Sequence, residues 1–264
     1  MILGRKFWAV LLMVVLIGVM INYSTVFYWT SQIAAPVYWT YQSRDLSSVR
    51  GPGYNIRHHA SVGDRLDEIL AAKTNYLALM DEYFGAALVP PLVIAMEKGE
   101  LNRQLGDGYS LESAGAYQSG VVLIGVDSNV STDSIVSTLV HEMGHHYVHI
   151  LARGNYPVWY TEGIAQLMEY TLLGRLWFDG IQYKDYYKYS MAELTEDFYG
   201  LNQVSAYRQA FDLVLTIEKL GGGQANQQIL RDLGRGSDFA KAVESHTGLD
   251  PDRLYEHVFG MKIK

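Results

Sequence analysis

Residues 131–151 read STDSIVSTLVHEMGHHYVHIL, and the reading of this stretch decides the fold. Ser131, Thr132 and Asp133 offer side-chain oxygens to the free N–H groups at a helix start, and Gly154 follows where such a helix would stop. A helix from about Ser134 to Leu151 is expected. Within it His141-Glu142-Met143-Gly144-His145 has the pattern H-E-x-x-H. Imidazoles at i and i+4 stand one turn apart on the same helix face, so both can reach one ion. Glu142 is turned about 100° from His141. That places it near the ion's water without making it a ligand, which is where a general base belongs. His149 lies about 12 Å along the axis from His141 and cannot share its ion. His146 points away from the pair, and His58 and His59 are remote in sequence, with a surface or packing role as the default.

Working outward, the next stretch is VWYTEGIAQLMEY, residues 158–170. A second helix is expected from Trp159 to Leu173. A catalytic zinc takes three protein ligands and keeps one position open for water. The chain contains no cysteine, so a transition-metal site here must be built from His and carboxylates. Glu162 is the best third ligand. The 16 residues between His145 and Glu162 leave room for a helix end, a turn through Gly154 to Pro157 and an antiparallel return. Gly163 would let the two helices approach closely. The competing reading makes Glu162 an ordinary first-turn acid favoured by the helix dipole. The metal set is therefore His141, His145 and Glu162, holding one zinc ion per chain, with Glu142 as catalytic base.

HEMGH followed by WYTEGIA resembles the gluzincin zinc metallopeptidases, and especially the bacterial peptidase-MA-like group. The likeness covers roughly residues 60 to 260. It implies a zincin-like fold, zinc-dependent peptide-bond hydrolysis and a peptide or protein substrate. Tyr207-Arg208-Gln209-Ala210-Phe211 looks like the start of the helix that follows the third ligand in that family. The resemblance makes Tyr207 a second catalytic residue, donating a hydrogen bond to the tetrahedral intermediate. One departure stands out: many gluzincins carry an acid four positions after the third ligand to orient a zinc-bound His, and here that position is Gln166. Gln166 can accept the imidazole N–H without charge, or another acid such as Glu169 can take its place. The longer metzincin pattern is absent, because Val148 and Leu151 occupy its Gly and His positions.

The rest of the 264 residues frame this pair of helices. Apolar residues recur at helical spacing from Ser61 to Phe84, with Ser61 as N-cap and Gly85 as stop. Leu92–Met96 and Ala116–Val126 read as strands, the second a possible edge for aligning an extended peptide. A tyrosine-rich irregular stretch (Tyr183, Tyr186, Tyr187, Tyr189) precedes a helix from about Ala206 to Leu220, and short helices finish the chain, the last starting at Pro251. The expected class is α+β, mostly helical, with a small mixed sheet and an active-site helix pair over residues 61–264.

Before it, Arg5 and Lys6 precede an apolar run from Phe7 to Ile21, and Tyr23, Phe27, Tyr28 and Trp29 follow. That pattern reads as a signal-anchor or transmembrane helix over residues 1–30, with an aromatic belt. Residues 31–60 read as a stalk. The positive-inside rule then puts the catalytic domain outside the cytoplasm on a single-pass anchor; cleavage after the apolar run would make it secreted instead. A net charge of −7 without a basic cluster excludes a nucleic-acid partner. The rival to a peptidase is a membrane-anchored binding or assembly factor that keeps the zincin fold and cleaves nothing.

Overall fold

A computed structural model describes residues 23–51, 54–106, 114–178 and 187–260. The apolar run Phe7–Ile21 lies outside them, as does most of the tyrosine-rich stretch. Helix α1 (Tyr23–Gln42) leads into a hairpin of β1 (Ser47–Gly51) and β2 (Tyr54–His58). A 3-10 turn (Ala60–Arg65) precedes α2 (Leu66–Phe84), followed by β3 (Leu92–Met96), α3 (Lys98–Leu105), β4 (Gly115–Gln118) and β5 (Val121–Gly125). The remaining elements are helical: α4 (Thr132–Ala152), α5 (Val158–Leu173), α6 (Met191–Glu196), α7 (Gln203–Gly221), α8 (Ala225–Gly234), α9 (Phe239–Thr247) and α10 (Pro251–Phe259). The class is α+β, mostly helical with a small sheet.

The sheet is mixed, in the order β1-β2-β3-β5-β4. β2, β3 and β5 run parallel, while β1 and β4 pair antiparallel at the two edges. Every residue of β3 and β5 is buried, because both faces of the sheet are covered. Side chains alternate between the two faces. Val93, Ala95, Val122 and Ile124 join the main core with residues of α2, α4, α5 and α7. Leu92, Ile94, Met96, Val121 and Leu123 pack on the other side with Trp39 of α1 and Leu101 of α3.

Three sequence expectations need correction. Residues 47–58, read as stalk, supply two strands of the sheet, and β2 pairs directly with β3. β1 reads SSVRG and is mostly exposed, so no apolar alternation announces it. The single strand expected at Ala116–Val126 is a hairpin: Ser119 and Gly120 both adopt positive φ, 39° and 91°, and turn β4 back onto β5. Two such residues between paired strands give the twist that a tight hairpin needs. Finally, Ser61 caps nothing. The His59 ring accepts from the Ser61 N–H and starts the 3-10 turn, with Gly63 inside it disfavouring an α-helix, and α2 begins only at Leu66.

Candidate metal centre

α4 begins as its sequence requires, with the Ser131 hydroxyl accepting from the Ser134 N–H. The chain reverses after Arg153 and Gly154, both left-handed, and α5 returns along α4. The close approach of the two helices is set by Gly144, whose absent Cβ would stand 3.1 Å from the Ala165 Cα. Gly163 does a different job from the one expected. A Cβ there would meet the Ala210 carbonyl at 2.5 Å and Val214 at 2.6 Å, so it seats α5 on α7 rather than on α4.

This packing brings His141, His145 and Glu162 together as one cluster able to hold a metal ion. Glu162 Oε2 lies 3.3 Å from His141 Nε2 and 3.5 Å from His145 Nε2. An ion bound tetrahedrally at about 2.1 Å holds its ligand atoms about 3.4 Å apart, so this spacing suits it. Glu162 Oε2 is also buried without a hydrogen-bond donor, a costly condition for a carboxylate oxygen unless a cation satisfies it. The donor set therefore fits a divalent ion.

The far side of each imidazole is held in place. His141 Nδ1 lies 2.8 Å from Glu169 Oε1 and His145 Nδ1 lies 2.7 Å from Thr161 Oγ1. With those nitrogens donating, both Nε2 atoms carry lone pairs toward Glu162. Of the two candidates for the acid that orients His141, Glu169 takes the role. Gln166 instead donates its amide to Glu169 Oε1 at 2.9 Å, and Ser137 donates to the other oxygen. Glu162, Gln166 and Glu169 stand at i, i+4 and i+7, so one face of α5 carries the candidate ligand, the amide beside it and the acid that orients His141.

The electrostatics follow from burial and from this crowd of carboxylates. Burial opposes a charged His141, but the carboxylates of Glu162 and Glu169 beside it outweigh that and hold its pKa well above the ordinary histidine value. For Glu162, burial favours the neutral acid, yet the His145 and His141 rings hold its carboxyl far below the usual range. Glu142 goes the other way: burial raises it, with only partial relief from the two imidazoles. It stands outside the ligand trio and lines the same cleft.

That cleft has a volume of about 660 Å³, and its walls include Gly115, Tyr117, Tyr156, Leu201 and Tyr207. Gly115 of β4 passes so close over α4 that a Cβ would stand 3.0 Å from Glu142 Cγ and 2.5 Å from Thr138. Tyr207 comes from the start of the second turn of α7, its ring 6.3 Å from that of His141. Burial, reinforced by the Glu162 carboxylate, keeps its hydroxyl protonated and therefore a donor. His146 turns away, as its helix position demands, toward the Val89 carbonyl at 2.9 Å; His149 meets Tyr156 Oη at 3.0 Å.

Sequence reasoning misses Tyr199, which donates to Glu162 Oε1 at 2.7 Å and leaves Oε2 facing the histidines. It sits in a 3-10 turn (Phe198–Gly200) among 20 tyrosines, with no spacing to single it out. Thr161 is missed too, although its place directly before Glu162 on the second helix gave a signal. Comparison with protein-family models gives no match, and comparison with curated proteins gives none.

Proposed function

We infer that this protein is a zinc-dependent peptidase with a zincin-like catalytic domain, tethered to the membrane through the apolar segment before α1 and facing away from the cytoplasm; Tyr28, read in the sequence as part of the anchor, is instead buried against the domain. The observation that carries the catalytic reading is Glu162 Oε2, buried, unpartnered and facing two oriented imidazoles beside an unligated acid in an open cleft. His141, His145 and Glu162 hold the zinc, which when bound polarises a carbonyl and lowers the pKa of its water toward ~7. Glu142 accepts the proton of the attacking water and passes it to the leaving nitrogen. Burial raises its pKa, the direction that favours holding the proton between the two halves of that task. Tyr207 donates a hydrogen bond to the oxygen on which negative charge develops. Glu169 and Thr161 keep the ligand imidazoles in the required tautomer, and Tyr199 holds Glu162 by one oxygen.

The test joins metal analysis to hydrolysis of a peptide library. The purified chain should carry one zinc and cleave peptides in a chelator-sensitive way. Glu142→Gln should keep the zinc and lose at least about 10²-fold in turnover. Zinc without any cleavage in the parent chain would point instead to a binding or assembly factor, and a chain with no affinity for divalent ions would end both readings.

A further inference from the structure

α1 has two apolar faces and no charged residue in its 20 positions. One face is accounted for: Tyr28 and Trp39 are buried against the domain, the Trp39 Nε1–H donates to Gln118 Oε1 at 2.8 Å, and Ser119 donates to Ser31 at 3.0 Å. The opposite face is not. Trp29, Ile33, Val37 and Tyr41, spaced four apart, are 54%, 69%, 63% and 62% exposed. A contiguous apolar strip of this kind on a soluble surface marks an interaction site.

We propose that this outer face of α1 lies in the surface of a lipid bilayer and holds the domain flat against it. Three observations select lipid as the occupant. In sequence the strip follows closely on the uncharged run Phe7–Ile21, so it continues a segment that already reads as membrane-seeking. Its exposed residues are rich in Trp and Tyr, the side chains that settle at the headgroup level. Beyond Tyr41 stands Arg44, stacked 4.2 Å over the Tyr41 ring with its side chain 54% exposed, where anionic headgroups would meet it. No helix among the described residues is long and apolar enough to cross a membrane; with Tyr28 and Trp39 packed on the domain, α1 would rest on the bilayer along its outer face.

The inner face of α1 packs on the β4–β5 turn, where a Gly120 Cβ would stand 3.7 Å from Pro36, and β4 also forms a wall of the cleft. A bilayer under α1 is therefore one helix away from the strand that lines the site. The inference shares with the proposed function only the membrane-seeking segment; it stands whether or not the cleft cleaves anything.

Because the chain has no cysteine, single cysteines can be introduced without clearing a background. Full-length protein carrying Ile33→Cys, Val37→Cys or, as a control at the end of α7, Leu220→Cys is nitroxide-labelled. It is then reconstituted in vesicles of phosphatidylethanolamine and phosphatidylglycerol. Oxygen and a water-soluble nickel chelate report the depth of each label. Labels at 33 and 37 should lie about 5–10 Å inside the headgroup boundary, while the label at 220 remains aqueous. Water accessibility at 33 and 37 equal to that at 220 would overturn the proposal, leaving only the preceding segment as tether. Spin coupling that vanishes on dilution with unlabelled chain would overturn it in favour of a second copy covering the strip. Zinc content and peptide cleavage in the same vesicles report on the catalytic reading separately.

Discussion

Replacing Glu169 by Gln changes neither a proposed ligand nor the proposed base, yet on the proposed function it should have a large effect on metal affinity. The carboxylate accepts three hydrogen bonds, from His141, Gln166 and Ser137, and is almost wholly buried. Glutamine has nearly the same shape and can still turn its oxygen toward His141, with its amide donating to Ser137 Oγ, so the fold should survive. What is lost is charge. A charge-assisted bond is roughly twice as strong as a neutral one, and removing a group that orients a ligand imidazole costs about 10- to 100-fold in metal affinity. That factor corresponds to about 1.4–2.8 kcal/mol. A proton competes with the ion for the same imidazole, and Glu169 strengthens both: it helps hold His141 above its ordinary pKa. The full factor should therefore appear in alkaline buffer and shrink as pH falls. Competition titration against a chromophoric zinc indicator measures it directly. Gln166→Met is the matched control: the Gln166 amide lies 3.0 Å from His141 Nδ1 and 2.9 Å from Glu169 Oε1 but carries no charge, so its effect should be smaller. An affinity for Glu169→Gln within twofold of the parent in alkaline buffer would refute the assignment, as would a larger loss from Gln166→Met.

The remaining expectations separate the other residues around the site and in the core. Tyr199→Phe should weaken zinc by about tenfold, through loss of the bond that fixes Glu162. Tyr207→Phe should leave zinc in place and depress kcat more than it alters KM; a change in stability alone would return Tyr207 to the core. Gly163→Ala forces a methyl against the Ala210 carbonyl and should cost about 1–3 kcal/mol in urea denaturation, with parent-like stability arguing against the α5–α7 contact. His146 and His149 are pushed down to about 4, chiefly by burial. Because their folded values lie below the unfolded value of 6.5, the unfolded chain takes up protons first, so stability is intact above pH 6.5 and falls toward pH 4. For His146 the loss is on the order of 3 kcal/mol, and a urea midpoint flat across that window would contradict it.

Which of these features the sequence discloses depends on whether a local rule enforces them. The i, i+4 spacing of His141 and His145 and the offset of Glu142 belong to the helix itself, so they are legible before any tertiary contact is known. Glu162 is legible at one remove, from the short return after Pro157. Helix boundaries at Ser131, Gly85 and Pro251 follow the same logic of caps and stops. α1 is illegible for the opposite reason: apolar residues on both faces cancel the periodic contrast by which an amphipathic helix is recognised. The β4–β5 turn is hidden in a run of small and apolar residues, where Ser119 supplies a positive φ that Ser rarely adopts.

The same distinction explains why the sequence leaves two candidates, Gln166 and Glu169, for the group that orients His141. Both Gln166 and Glu169 lie on the face of α5 that carries Glu162, and helical geometry cannot choose between them. The choice comes from Ser137, a residue of α4 one turn before His141, which donates to Glu169 and draws that carboxylate into bonding distance of the ring. Gln166 is then confined to donating, and its own oxygen is left buried without a partner. An acid seven positions after Glu162 thus places a carboxylate on His141, with the hydroxyl of Ser137 in α4 holding it there. Ser137→Ala should consequently weaken zinc in the same direction as Glu169→Gln but by less, since it loosens the acid without removing its charge.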